Sequence, residues 1–263
     1  MVFLSNEQLD QYSKDGFLVI KKFFNDSEIS EIRKWVYDYS KKKPEDWESG
    51  KEMGYYETSL NDGKRILTRL ENFCDYNKDF FDLVHSEKII NCVEDLLGES
   101  CVFFKEKINF KNPGGAGFAP HQDAISRWDD YASAFMNVLI CTDVGTIENG
   151  CLEVAPGHHK RGLIGNYDRP LEGDDLNGMK FEMVPTEVGD VLFFDHFTPH
   201  QSKSNMSDRP RSNIYLTYNL LSDGDHRNQY LEKKRREFPP DNERKDGVKI
   251  KNSAIHEAKY KAN

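Results

Sequence analysis

The spacing of apolar residues along the chain changes near Gly98. Before that point, apolar positions recur mainly at the three- and four-residue spacing of an amphipathic helix. Capping signals at 5–8 and 25–28 open two such segments, and a third runs over 86–97. The stretch GFLVIKKFF, between the first two, is typical of a short buried strand. The first part of the chain is therefore predicted to be helical, with one strand.

After Gly98 the chain becomes a succession of strand-like segments. They are rich in aromatic and β-branched residues, and turn sequences such as NPGG and PGHH separate them. The predicted strands are CVFFKEKINFK, SAFMNVLICTDV, CLEVAP, DVLFFD and NIYLTYN. Helices first and then strands favour a mainly β fold with flanking helices. We predict a double-stranded β-helix, a jelly roll of the cupin kind, with N-terminal helices.

The chain length suits one domain with three parts. A chain of 263 residues is ordinary for a single barrel or sandwich. We expect a helical support over 1–98, a jelly-roll core over 99–222 and a C-terminal tail over 223–263. The tail begins with a polar segment that Pro239 and Pro240 stop, which predicts a solvated surface helix.

One long charged segment in the first part predicts a loop. Residues 41–54 read KKKPEDWESGKEMG, and both the charges and the proline disfavour regular structure. Long loops inside a domain often cover an active site. We therefore predict that the loop at 41–62 is a lid.

Composition and charge restrict the class of protein. The formal net charge is −9, and basic residues near 232–238 are interleaved with acidic ones, which disfavours nucleic acid and anionic membranes as partners. No apolar run approaches the length of a membrane span, and the start lacks the layout of a secretory signal. The five cysteines show no Cys-x-x-Cys spacing, so neither a disulfide framework nor a thiolate zinc site is expected. These features predict a cytoplasmic protein.

A histidine and an aspartate two positions apart form the first candidate metal-binding pair. His121 and Asp123 follow a glycine-rich turn, and residues i and i+2 of an extended chain project to the same side. A facial triad of two histidines and one carboxylate needs a third ligand and leaves coordination positions open. His200, which lies between two predicted strands, is the preferred third ligand, with His196 as its rival.

The order of several motifs resembles a known family. The matching elements are His121-x-Asp123, NGCLEVAPGHH, VGDVLFFD, His200-x-Ser202 and Arg211. Together they look like the phytanoyl-CoA dioxygenase family of iron(II)- and 2-oxoglutarate-dependent oxygenases. The resemblance implies that both histidines and Asp123 hold iron, and that Arg211 and Ser202 bind the far carboxylate of 2-oxoglutarate. A guanidinium suits that role because its planar fork makes paired hydrogen bonds to a carboxylate.

The resemblance also implies the type of reaction. Dioxygen and 2-oxoglutarate would be consumed, succinate and carbon dioxide released, and an unactivated carbon oxidised. Asn109 matches a position that helps to bind the cosubstrate in related hydroxylases. In halogenating relatives a small residue replaces the carboxylate ligand, whereas this chain has Asp123, so hydroxylation is predicted.

The substrate is predicted from a branch of the family. The segments KEKINFKNPGGAGFAPHQD and RSNIYLTYN resemble hydroxylases of small aminoalkylphosphonates such as 2-aminoethylphosphonate and its N-methylated forms. A zwitterion of this kind needs cations for its anionic end and carboxylates or aromatic faces for its amine. The candidate substrate-binding residues are Lys107, Trp128, Arg127, Arg69, Asn72 and Tyr55.

Two alternatives remain open at this point. The same oxidant can hydroxylate or oxidatively cyclise another small amine or amino acid, because ring closure needs only a different substrate pose. A non-enzymatic metal-binding jelly-roll module is the second alternative, although degenerate relatives usually lose a ligand or the cosubstrate arginine. We expect a small-molecule substrate and no nucleic acid, membrane or obligate protein partner.

Overall fold

The strands form two antiparallel sheets. The computed structural model describes residues 3–244. The strands are β1 (Phe17–Ile20), β2 (Met53–Thr58), β3 (Arg65–Glu71), β4 (Cys101–Lys111), β5 (Phe118–His121), β6 (Phe135–Cys141), β7 (Leu152–Val154), β8 (Glu182–Val184), β9 (Val191–Asp195), β10 (His200–Ser202) and β11 (Arg211–Leu220). One sheet has the order β1-β9-β6-β11-β4-β3-β2, and the other has the order β5-β10-β7-β8.

Five α-helices accompany these sheets in the described part of the chain. They are α1 (Asn6–Asp15), α2 (Asp26–Ser40), α3 (Lys78–Val84), α4 (Glu87–Leu97) and α5 (Arg227–Glu237). The capping boxes predicted at Ser5 and Asn25 are both present, and Gly98 ends α4 in the left-handed conformation. Within residues 3–244 no helix combines the length and the apolar character that crossing a membrane requires.

Two apolar clusters hold the sheets and helices together. The larger joins α2, α3 and α4 to one face of the seven-stranded sheet, with Phe80 and Phe193 among its fully buried members. The smaller lies between the two sheets and includes Leu139, Val154 and Phe194. Removal of this apolar surface from water stabilises the layered arrangement. The predicted mainly β architecture with flanking helices is confirmed.

The first part of the chain contains more strand than predicted. The short strand β1 was expected, and it pairs with β9, but β2 and β3 also extend the large sheet beside β4. The helical support over 1–98 was therefore an incomplete prediction. The segment at 41–62 is not one loop either, because it holds a 3-10 turn at Pro44–Asp46 and then β2.

The helix at the start of the C-terminal tail is not a solvated surface helix. It ends before Pro239 as predicted, yet it packs against β4. Arg227 donates a 2.6 Å hydrogen bond to the buried carboxylate of Glu106, and the ring of Tyr230 lies 4.7 Å from that of Phe104. The stems of long polar side chains bury apolar surface without lowering the polarity of the sequence. Residues 245–263 of the predicted tail lie outside the described residues.

Candidate metal centre and cosubstrate pocket

Three predicted ligands meet between strands of the smaller sheet. His121 ends β5, Asp123 begins a 3-10 turn and His200 begins β10. Because β5 and β10 are antiparallel, with His121 opposite His200, the two imidazoles lie side by side with ring centroids 4.1 Å apart. One ligand atom from each of the three side chains lies within 4.8 Å of the others, and all three residues are buried. This group can hold a metal ion.

Backbone carbonyls fix the orientation of both imidazoles. Nδ1 of His121 lies 2.7 Å from the carbonyl oxygen of Ala119, and Nδ1 of His200 lies 3.0 Å from that of Thr198. An Nδ1–H that donates to a carbonyl leaves the lone pair on Nε2, which is the arrangement that metal-binding histidines adopt. Both rings are therefore prepared to offer Nε2 to an ion.

The residue between the first two ligands faces away from them. Gln122 is fully buried, and its amide donates to the carbonyl oxygens of Gly162 and Phe197. Its own oxygen accepts from the N–H of Ile164. These three bonds anchor the backbone between His121 and Asp123 and so help to fix the positions of both ligands.

The electrostatics of the group suit a divalent cation. Burial, and then the charge of His200, lowers the pKa of His121 to about 3, and burial also lowers the pKa of His200. Burial alone would raise the pKa of Asp123, but the positive charge of Lys107, and the charges of the histidines when they are protonated, hold it well below its usual range. At neutral pH the group therefore offers two neutral imidazoles and one carboxylate, the donor set of a facial iron(II) triad.

The predicted cosubstrate residues share one cavity. Arg211, Ser202 and Asn109 all line a small cavity that is partly open to solvent, together with Lys111 and Tyr215. Buried side-chain cations and a hydroxyl in one cavity match the carboxylate of 2-oxoglutarate. Among residues 3–244, the buried Oδ1 of Asn109 has no hydrogen-bond partner, which leaves this amide available to a bound molecule.

Backbone and side-chain contacts hold the cations of this cavity in place. Nη2 of Arg211 donates to the carbonyl oxygen of Gly150 at 2.8 Å, and Lys111 lies directly opposite Arg211 on β4. Nζ of Lys111 donates to Oγ of Ser202 at 2.8 Å. The sequence analysis missed Lys111, although it shares the alternation of β4 with Lys107 and Asn109 and so lies on the same face.

The rival histidine lies elsewhere. His196 is 5% exposed and packs with its ring 5.5 Å from that of Phe135 and 3.9 Å from that of Phe197. It is not part of the metal-binding group found among residues 3–244. The structure therefore favours His200 over its rival His196 as the third ligand.

Four of the six predicted substrate residues lie on the side of β4 that faces the metal group. The Lys107 ammonium lies 4.8 Å from the ring of Tyr215, and its charge acts on Asp123. The Arg69 guanidinium lies 4.7 Å from the ring of Tyr55. Trp128 is 1% exposed and is packed among aromatic side chains, where its indole N–H has no hydrogen-bond partner among residues 3–244.

The other two predicted substrate residues lie apart from this group. Arg127 is exposed, pairs with Asp168 at 3.2 Å and covers the ring of Tyr167. Asn72 has a φ of 57° just after β3 and donates to the carbonyl oxygen of Lys51. The structure therefore does not bring Arg127 or Asn72 to the metal group.

Known proteins share both the fold and the sequence pattern. The structure of EctD from S. alaskensis with 2-oxoglutarate and 5-hydroxyectoine superimposes with a TM-score of 0.70 at 20% identity, over 84% of this chain and 77% of that one. The jelly-roll fold is thereby confirmed. With the two-histidine, one-carboxylate group, this fold defines the class of iron(II)- and 2-oxoglutarate-dependent oxygenases.

The family follows from the sequence comparison. The phytanoyl-CoA dioxygenase (PhyH) family model matches residues 12–213, and the chain belongs to that family. The 2-aminoethylphosphonate dioxygenase of an uncultured bacterium (HF130_AEPn_1) is 38% identical over 94% of each chain. The methylphosphonate hydroxylase of Gimesia maris is 35% identical over 89% of this chain and 88% of its own. The chain is an iron(II)- and 2-oxoglutarate-dependent dioxygenase, as the sequence analysis predicted.

Proposed function

We propose that this enzyme hydroxylates a C–H bond of a small phosphonate, with an aminoalkylphosphonate such as 2-aminoethylphosphonate or its N-methylated form as the preferred substrate. The observation that carries the reaction class is the buried group of His121, Asp123 and His200 beside a cavity that contains Arg211. The substrate class is supported by the two relatives, whose names specify 2-aminoethylphosphonate and methylphosphonate.

The residues of the chain have distinct parts in this reaction. Iron(II), when bound with 2-oxoglutarate and dioxygen, supplies an oxidant able to remove hydrogen from an unactivated carbon while 2-oxoglutarate becomes succinate and carbon dioxide. His121, Asp123 and His200 hold the ion, and Arg211 with Ser202 orients the cosubstrate. The burial of the ligands excludes bulk water, which protects a reactive site from side reactions.

A small amine or amino acid without phosphorus is the second candidate, and one observation argues against it. Lys105 and Lys107 both lie close enough to Asp123 to lower its pKa. Cations beside the metal group favour a substrate with a strongly anionic end over one whose amine must approach the ion.

Succinate release under aerobic conditions with iron(II) tests the proposal. We expect 2-aminoethylphosphonate, its N-methylated form or methylphosphonate to stimulate release well above the uncoupled rate, with β-alanine and ethylamine as matched compounds that lack the phosphonate. Equal stimulation by β-alanine would reject the phosphonate class and leave the dioxygenase assignment intact.

We further propose that the enzyme works in the cytoplasm on a small molecule. The five cysteines of the described chain are free thiols, and four of them are buried. Unpaired cysteines are typical of a reducing compartment. Purification of the protein from fractionated cells, followed by the succinate assay on each fraction, tests this location.

A further inference from the structure

Four cationic side chains from three elements converge beside the metal group. Arg69 comes from β3, Lys105 and Lys107 come from the inward face of β4, and Lys234 comes from α5. Glu71, at the end of β3, interacts with all four. Burial would raise the pKa of Glu71, but the charges of Lys234 and the other cations lower it to about 2. We call these four cations and Glu71 the cationic chamber.

Two of the cations share one oxygen of Glu71. Nε of Arg69 lies 3.0 Å from Oε1, and Nζ of Lys234 lies 3.8 Å from the same atom. Oε2 of Glu71 is buried without a hydrogen-bond partner among residues 3–244. Glu71 therefore offsets part of the charge of Arg69 and Lys234 and does not reach the remaining two lysines through a hydrogen bond.

The other two lysines have aromatic neighbours instead. Lys105 is 9% exposed, and its ammonium lies 4.2 Å from the ring of Trp128 and 5.4 Å from the ring of Tyr230. Lys107 contacts the ring of Tyr215 in the same way. Neither ammonium makes a hydrogen bond or an ion pair with another residue of the described chain. Aromatic faces guide these cations but leave their N–H groups available to a ligand.

The positive charges of the cationic chamber are only partly compensated by the residues around them. Burial and the charge of Lys107 lower the pKa of Lys105 to about 7, and burial lowers that of Lys234 to about 8. The four cations outnumber the two carboxylates on which their charges act, Glu71 and Asp123. Buried like charges are unfavourable unless an opposite charge compensates for them. A bound anion would compensate for the excess of positive charge.

The cationic chamber and the cosubstrate cavity lie at different positions along the same face of β4. Residues of alternating positions point inward, so the chamber lysines and Lys111 share one face, with Asn109 between them. Lys107 and Lys111 are four residues apart, which is about 13 Å on a strand. Lys111 belongs to the cosubstrate cavity, and the charge of Lys107 reaches Asp123. The metal group therefore has cationic side chains on each side.

We propose that Lys105, Lys107, Lys234 and Arg69 form the subsite for the phosphonate group of the substrate, a tetrahedral dianion. This assignment rests on the proposed function for the identity of the ligand. It makes α5 a substrate-binding element, because α5 supplies Lys234. Three oxygens of a phosphonate can accept hydrogen bonds from several ammonium groups at once, which a carboxylate with two oxygens does less well.

Calorimetric titration with methylphosphonate, without oxygen and with iron(II) and 2-oxoglutarate present, tests the subsite apart from turnover. We expect Lys105→Met and Lys234→Gln each to weaken methylphosphonate binding on the order of tenfold to a hundredfold, because each removes a charge-assisted hydrogen bond. Affinity for 2-oxoglutarate should change less than about twofold, since each lost group lies outside its cavity. Lys233→Gln is the matched control, because Lys233 is the neighbour of Lys234 and pairs with Asp130 at 3.2 Å instead.

Thermal unfolding guards against misfolded variants. Lys105→Met removes a buried cation without a partner, so the variant should be at least as stable as the parent without ligand and should gain less stability from methylphosphonate. Unchanged methylphosphonate affinity in both variants would overturn the subsite. An absence of binding by the parent protein to both methylphosphonate and inorganic phosphate would overturn it too.

The failure of the subsite can be told from the failure of the proposed function. If phosphonates stimulate succinate release but the variants bind them normally, the function stands and the subsite is wrong. If no phosphonate stimulates release, yet the parent protein binds inorganic phosphate and the variants lose that binding, the subsite stands and the substrate class is wrong.

Discussion

The two ends of the inward face of β4 differ in how their cations are held. At the cosubstrate end, Lys111 donates to Ser202, and Arg211 beside it donates to the carbonyl oxygen of Gly150. At the other end, Lys105 and Lys107 have aromatic neighbours but no polar partner among residues 3–244. A cosubstrate that is the same throughout a family permits a rigid site built by the jelly roll itself. A substrate site is completed by elements outside the core, here β3 and α5.

The largest effect is expected at the metal group, which lies between the cosubstrate cavity and the cationic chamber. His200→Ala removes one of three ligands, so the loss of iron affinity and of succinate release should exceed the roughly 100-fold typical of damage to the outer partners of metal ligands. Iron content after dialysis and the succinate assay measure this. His196→Gln is the control, because His196 lies outside the group, and it should retain iron. Iron retention by His200→Ala with loss in His196→Gln would exchange their roles.

The contact that holds α5 against β4 provides the next test. Arg227 anchors α5 to β4 through Glu106, whose side chain is fully buried. Arg227→Met leaves that carboxylate buried without its cation, which costs about 3–5 kcal/mol of unfolding free energy. Urea denaturation of the parent and the variant measures the change. Arg236→Met, at a side chain that is 70% exposed on the same helix, should change it by less than about 0.5 kcal/mol.

The metal ligands and the jelly roll could be predicted from the sequence, whereas the elements that complete the substrate end could not. His121, Asp123 and His200 were recognisable because i and i+2 residues project together and because Ser202 and Arg211 follow in a fixed order. The jelly roll was recognisable because its buried strands, such as β6, are almost wholly apolar.

The elements that complete the substrate end could not be predicted, because their sequences lack a clear apolar pattern. Beside the buried Leu231, the inward face of α5 carries Arg227, Tyr230 and Lys234, whose stems bury surface while the sequence stays polar. The strand β3 was missed since charged residues interrupt it, and β2 was missed since it directly follows the charged segment that predicts a loop. Arg127 and Asn72 lie apart from the metal group, because proximity in sequence to Asp123 and Arg69 does not specify the side to which a residue after a turn projects.

Arg211, in the cosubstrate cavity, should be the main anchor for 2-oxoglutarate. Arg211→Ala removes a planar donor from the cosubstrate cavity and should raise the 2-oxoglutarate concentration needed for half-maximal rate on the order of a hundredfold, the upper range for a bond to a charged group. Iron retention should persist, since the metal ligands are untouched. Arg209→Ala is the matched control, because the Arg209 side chain is 86% exposed and only two residues away. An unchanged 2-oxoglutarate requirement in Arg211→Ala would move the anchor elsewhere.

The smallest effect is expected from the substitution of Lys111. It tests whether the cosubstrate cavity uses two cations, Arg211 and Lys111, to bind one carboxylate of 2-oxoglutarate. Lys111 is buried and already donates to Ser202, to the carbonyl oxygen of Gly150 and to that of Lys203 at 2.5 Å, so part of its charge is engaged before any ligand binds. Lys111→Met should therefore raise the 2-oxoglutarate requirement about tenfold, less than Arg211→Ala does. Methylphosphonate affinity should stay the same, because the chamber lies at the opposite end of β4. If Lys111→Met weakened methylphosphonate binding instead, the two ends would not be separate anion sites.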